Sequence, residues 1–162
     1  KYHIIMKKHL ISSTIYEYSE DELSSIDRQL IDAARQATER SYAPYSHFHV
    51  GAALLLENGE IITGCNQENA AFPVTICAER NALFTAGNLY PDVKIEAIAI
   101  AARNAQGFLS HPISPCGSCR QVMIETETRH QHPLRIVLYG TEGIYVLEGI
   151  ATLMPLSFNN ME

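Results

Sequence analysis

The chain has 162 residues, 46% of them hydrophobic and 19% charged, with 12 Lys and Arg against 18 Asp and Glu for a net charge of −6. That length fits one domain with its own core, and no apolar run approaches the ~20 residues of a membrane span. An acidic chain without a Lys/Arg-rich stretch lacks the surface that displaces counterions from phosphate backbones, which points away from nucleic acid and towards a small, weakly charged substrate.

Residues 1–5 precede Met6 and are read as foreign to the natural chain, with Met6 as its start. Residues 1–10 lack the apolar stretch and cleavage site of an export signal. Residues 1–18 are expected to form an N-terminal extension, with 10–16 a short strand or extended entry, and residues 19–162 a single domain. Ser19 and Glu22 have capping-box spacing, and Leu23, Ile26, Leu30, Ala34 and Ala37 follow at helical intervals. A first amphipathic helix is therefore predicted over 20–39, followed by a loop at 41–46. Residues 48–56 and 61–65 form two strands around Asn58-Gly59, a hairpin signal.

A second helix is predicted over 75–86, ending near Gly87-Asn88. Residues 95–101 are almost wholly apolar, which suits a strand covered on both faces. Ser114 as cap and Pro115 at the first position start a third helix that runs to about Thr126. Strands at 134–139 and 144–147 and a short helix from about Glu148 close the pattern. The fold class is α/β, with three layers α/β/α around a mixed sheet of about five strands.

Four cysteines are present, three of them in two short stretches: Cys77-Ala78-Glu79-Arg80 and Pro115-Cys116-Gly117-Ser118-Cys119-Arg120. Two disulfides are the less apt reading, because without an export signal such spacing suits a metal. Three thiolates at helix starts gain from unpaired N–H groups and the positive end of the helix dipole. They are one ligand short of a closed zinc shell, leaving a position for a reacting water. Glu79 is placed to move that water's proton. Arg80 and Arg120 are candidates to hydrogen-bond a ligand sulfur and offset its charge. Alternatives are buried cysteines without metal, a closed site using Cys65 or a histidine, and surface ion pairs for the two arginines. The spaced pairs His47/His49 and His130/His132 are read as surface or strand-face histidines.

These stretches, with Ala43-Pro-Tyr-Ser-x-Phe48-x-Val-Gly-Ala-Ala-Leu54 and Gly64-Cys-Asn-x-Glu-Asn-Ala70, resemble the small homotetrameric class of cytidine deaminase over roughly residues 41–158. The resemblance implies a cytidine deaminase-like fold and one Zn2+ per chain held by Cys77, Cys116 and Cys119. It implies hydrolytic deamination of cytidine and 2′-deoxycytidine in pyrimidine salvage, with Glu79 relaying protons. It further implies Phe48 packing on the pyrimidine, Asn66 and Glu68 on the ribose 3′-hydroxyl, and the Ala78 main chain on the base. Phe158 is implied to reach a neighbouring subunit's pocket in a cytoplasmic homotetramer with shared active sites. Phe72 stands where the family commonly has Tyr, and His49 where Pro or Arg is common. A nucleoside-antibiotic deaminase of the blasticidin S type shares the zinc motifs, but Asn66-x-Glu68 serves an ordinary ribose. A structural zinc module would leave Glu79 without a purpose.

Overall fold

The computed structural model describes residues 6–159; the segment 1–5, read above as foreign to the natural chain, lies outside the described residues. In chain order the elements are β1 (Tyr16–Tyr18), α1 (Ser25–Ala37), β2 (His49–Leu56), β3 (Ile61–Cys65), α2 (Ala78–Leu89), β4 (Ile95–Asn104), β5 (Gly107–Phe108), α3 (Gly117–His130), β6 (Arg135–Leu138) and β7 (Ile144–Glu148). They form one sheet in the order β1-β7-β6-β4-β2-β3, with β5 paired to β4. Only β4 and β6 run parallel; the other pairs are antiparallel. The sheet has seven strands where the sequence suggests about five. The additional two are the three-residue β1 and the two-residue β5, too short to carry a periodicity of their own.

Strand β4 is the spine, and its alternation sorts the two faces. Ile98 and Ile100 join Ala82, Leu83, Ala86 and Met123 in the core beneath α2 and α3. Ala97, Ala99 and Ala101 point the other way, onto Leu30, Ile31 and Ala34 of α1. Small residues on that side let α1 lie close to the sheet. A Cβ added to Gly51 on β2 would stand 2.0 Å from the Ala34 carbonyl oxygen. Burial of a large aliphatic side chain contributes about 1.5–3 kcal/mol, so the fully buried Leu54, Ile98, Ile100 and Met123 anchor the layers the site stands on.

Several boundaries differ from the sequence reading. The capping box is present, with the Glu22 carboxylate accepting from Ser19 N at 2.8 Å and Ser19 Oγ at 2.7 Å, but it closes only a 3₁₀ turn at Glu20–Glu22. Leu23 is extended, and α1 starts afresh after Ser24, whose Oγ accepts Asp27 N at 3.1 Å. Ile26 consequently sits outside the buried stripe. Strand pairing begins at Tyr16, opposite Val146, so the last three residues assigned to the N-terminal extension belong to the sheet. The β2–β3 connection bonds Gly59 N to Leu56 O at 2.8 Å and Leu56 N to Glu60 O at 3.0 Å. Gly59 alone in it has a positive φ, of 85°, which makes it a three-residue loop with glycine in the left-handed position. The short helix expected near Glu148 is a 3₁₀ turn at Ile150–Thr152. No helix among the described residues is long and apolar enough to cross a membrane.

Candidate active site

Helices α2 and α3 lie on one face of the sheet, and each begins at a cysteine. Cys77 is the N-cap of α2 and Cys116 that of α3, both with extended backbone and neither sulfur accepting a backbone N–H of its own first turn. The sequence periodicity puts Cys77 inside a helix starting at residue 75; the chain instead stays extended there. Ile76 and Gln67 exchange two backbone hydrogen bonds, of 3.0 and 3.1 Å, which hold the chain straight until Cys77. Pro115 likewise precedes the α3 N-cap instead of opening the helix after Ser114. Gly64 on β3 seats α2: a Cβ there would stand 2.5 Å from Ala82 N and 2.6 Å from Ala78 O.

These starts bring three sulfurs together. Cys77 Sγ lies 3.8 Å from Cys116 Sγ, which lies 3.4 Å from Cys119 Sγ, and all three fall within 4.8 Å of one another. A tetrahedral zinc with bonds of about 2.3 Å separates its sulfurs by roughly 3.8 Å, so the trio fits that ion. All four cysteines are free thiols. Among the described residues, no histidine, carboxylate or fourth cysteine joins the cluster. Cys65 faces elsewhere and accepts from Gln67 Nε2 at 3.2 Å. The donor set therefore stops at three, with Glu79 outside it.

The three sulfurs shift one another's proton affinity. The neighbouring Cys119, with help from Arg80 and Cys116, pushes Cys77 down to about 5. Cys77 in turn pushes Cys119 up, and burial and the Glu79 charge add to it. Arg80 Nη2 lies 3.7 Å from Cys77 Sγ, as expected of a cation offsetting thiolate charge. Glu79, only 5% exposed, has its carboxyl raised above the usual range, chiefly by burial and then by the Cys77 charge. Arg120 does not take the role expected of it. Its Nε donates to Pro115 O and its Nη1 to Leu153 O, both at 2.8 Å. It braces the loop before Cys116 through main-chain carbonyls, a partner that side-chain type alone does not reveal.

The second group of candidates clusters at the start of β2. Asn66 Oδ1 accepts Val50 N at 2.8 Å, and its Nδ2 donates to Phe48 O at 2.9 Å. Glu68 Oε2 accepts Tyr45 N at 2.9 Å and Ser46 N at 3.2 Å, while Oε1 accepts from Ser46 Oγ. These bonds, led by that of Ser46, hold the Glu68 carboxyl below its usual range. The Gln67–Ile76 pairing joins this segment to the residue before Cys77. The sequence motif points to Asn66 and Glu68 but not to Tyr45 and Ser46, whose loop position gives no sign that they hold the Glu68 carboxylate. Ala78 is fully buried at the first position of α2, and Phe48 is half-buried. Phe158 joins neither group: it is 65% exposed, its carbonyl held by Gln121 Nε2 at 2.7 Å. Phe72, also exposed, meets Tyr45 edge to face at 5.9 Å.

Comparison with known proteins bears on this geometry. A family model described as the cytidine and deoxycytidylate deaminase zinc-binding region matches residues 24–132. The chain is 48% identical to a cytidine deaminase of Sporosarcina psychrophila, over 81% of this chain and 90% of that one. It is 50% identical to a cytidine deaminase of Halalkalibacterium halodurans, over 62% and 72%. The crystal structure of cytidine deaminase from Burkholderia pseudomallei superposes with a TM-score of 0.70 at 40% identity, covering 84% of this chain and all of that one.

Proposed function

The chain belongs to the family of cytidine and deoxycytidylate deaminases, and from that membership we propose that it hydrolyses cytidine and 2′-deoxycytidine to uridine and 2′-deoxyuridine, releasing ammonia. One observation carries the reading: three free thiols converge at two helix starts, next to a buried carboxylate that is not in the ligating set.

Cys77, Cys116 and Cys119 would hold one zinc ion, which when bound supplies the Lewis acidity that makes a water nucleophilic near neutral pH. Glu79 takes a proton from the water that attacks C4 and passes it to N3; it then takes the proton of the new C4 hydroxyl and passes it to the amine, so that C4 becomes a carbonyl as the C4–N bond breaks and ammonia leaves. Its raised proton affinity suits a group that carries a proton between two steps. Arg80 offsets thiolate charge at Cys77, and Arg120 braces the loop that presents Cys116. Phe48 packs on the pyrimidine face, and the buried Ala78 lets the main chain approach the base. Asn66 and Glu68 take the ribose.

We place the enzyme in pyrimidine salvage, in a reducing cytoplasm that keeps such thiols free. Its assembly is proposed to be a homotetramer in which Phe158 serves a neighbouring copy's pocket. The outward position of Phe158 and the exposed Phe72 and Phe84 support that reading. The test is direct: zinc content per chain, together with loss of cytosine absorbance and release of ammonia from cytidine, 2′-deoxycytidine and free cytosine. Zinc-loaded protein that leaves both nucleosides unchanged refutes the activity, and cytosine consumed as fast as the nucleosides refutes the ribose contacts.

A further inference from the structure

The Ser46 hydroxyl stands where two hydrogen bonds cross. It donates to Glu68 Oε1 and accepts from Phe48 N at 3.1 Å. The other Glu68 oxygen is occupied by two backbone donors, Tyr45 N and Ser46 N. An ionised carboxylate accepts only, at about four lone-pair sites, and three of these are filled from within the chain. The remaining site, on Oε1, can take one donor from a ligand and can offer nothing to an acceptor. Glu68 and Ser46 both line a cavity of about 350 Å³ with Tyr45, Phe72 and Thr75.

The geometry points to Ser46 as a positioning residue that aims Glu68 at the sugar's 3′-position and restricts that position to a free hydroxyl. Resting on the ribose role proposed above for Glu68, the inference adds what selects there: a group that donates a hydrogen bond is admitted, and a 3′-ether or 3′-phosphate, which presents only acceptors, is refused. Ser46 is the one side chain that hydrogen-bonds the Glu68 carboxylate among the described residues. With its hydroxyl removed, Oε2 keeps its backbone anchors while Oε1 is free to turn and hydrate. Phe48 keeps a second anchor, Asn66 Nδ2 on its carbonyl, so the base end of the pocket holds.

The experiment measures KM and kcat of the zinc-loaded enzyme with cytidine and with 2′,3′-dideoxycytidine, for the parent, Ser46→Ala, Ser46→Thr, Glu68→Ala and the Ser46→Ala/Glu68→Ala pair, with thermal unfolding of each. Ser46→Ala is expected to raise KM for cytidine about tenfold, in keeping with loss of a hydrogen bond to a charged group, while kcat stays within about twofold. KM for dideoxycytidine does not move, Ser46→Thr restores the parent value, and Ser46→Ala adds nothing once Glu68 is alanine. The inference is overturned if Ser46→Ala leaves KM for cytidine unchanged, raises it equally for both substrates, or multiplies with Glu68→Ala. A failure of the ribose role itself shows separately, with Ser46 intact: cytidine and dideoxycytidine then share one KM in the parent, or Glu68→Ala leaves KM for cytidine unchanged, and the role of Ser46 falls with it.

Discussion

The helices on the two faces of the sheet start in different ways. On one face α1 begins at Ser24, whose hydroxyl accepts a hydrogen bond from the helix's own first turn, and Asp27 in that turn is buried against Arg135 of β6 at 3.1 Å. On the other face α2 and α3 begin at cysteines that cap nothing and turn their sulfurs towards each other. A side-chain cap is typically worth about 1 kcal/mol, and the second face does without it twice. The first kind of start serves the fold. The second leaves helix ends and sulfurs for a ligand, whose binding would add to its stability.

Replacing the acid at each start is the most forceful way to break this contrast. Glu79→Gln keeps the shape of the side chain and removes no ligating atom, so zinc content should stay at the parent value while kcat falls by about 10²–10⁴-fold. Asp27→Asn, on the opposite face, weakens the bonds to Arg135 and should lower the unfolding midpoint in urea, with kcat per folded molecule unchanged. A Glu79→Gln enzyme working within a few-fold of the parent rate would strip the α2 start of its chemical role.

Glycine seats a helix on both faces, which provides a matched pair of substitutions. Gly51→Ala presses a methyl group on α1 at Ala34 O, and Gly64→Ala presses one on α2 between Ala78 O and Ala82 N. Backbone atoms cannot swing aside as side chains do, so each should cost at least the roughly 1–3 kcal/mol of ordinary overpacking. Only Gly64→Ala shifts the turn that follows Cys77, so zinc affinity should fall in that variant alone. Urea midpoints measured beside zinc competition titrations would check this. Equal loss of zinc affinity in Gly51→Ala would mean that the faces are not separable.

What could be read from the sequence divides along similar lines. Strand β3 falls at the predicted residues, and β2 and β4 were recognisable from apolar runs whose burial the sheet itself enforces. Strand β1 was expected as a short strand or extended entry over 10–16 and begins only at Tyr16, and β5 was not read at all, because three and two residues become strands only through the neighbours they meet, β7 and β4. The start of α2 came later than periodicity suggested, since a partner outside the helix, Gln67, straightens the chain at Ile76. At the site, residue type and spacing picked out the three cysteines whose sulfurs the fold brings together, and the glutamate that it buries after Cys77. They did not identify the partners of Arg120 or Glu68, because a long polar side chain reaches several carbonyls or amides and only the fold selects among them.

The opposed proton affinities of Cys77 and Cys119 should make zinc uptake a function of pH. Cys77, pushed down to about 5, is a thiolate at neutral pH, whereas Cys119 is pushed up and keeps its proton there. Because zinc must displace that proton, acid favours the metal-free form and affinity rises with pH. Each displaced proton steepens the dependence by about tenfold per pH unit. Competition with a chelator between about pH 6 and pH 8 should therefore show the zinc Kd falling at least about tenfold per unit. A flat profile would mean that the sulfurs stand fully ionised before the metal binds.

Cys77→Ser carries the smallest expected effect and bears most directly on the contrast between the two kinds of helix start. Serine at that N-cap brings an oxygen that can accept an N–H of the first turn of α2, a gain of up to about 1 kcal/mol, offset in part by loss of the thiolate's contact with Arg80. In chelator, the variant should match the parent's melting temperature or exceed it by a few degrees. With excess zinc the order should reverse, since the parent gains stability by mass action from a ligand that only the intact trio holds tightly. The change of sign is what matters, because a general loss of packing would lower the variant's melting temperature under both conditions. If the serine variant melts lower without metal too, then Cys77 supports the fold by itself, and the separation of structural from chemical helix starts does not stand.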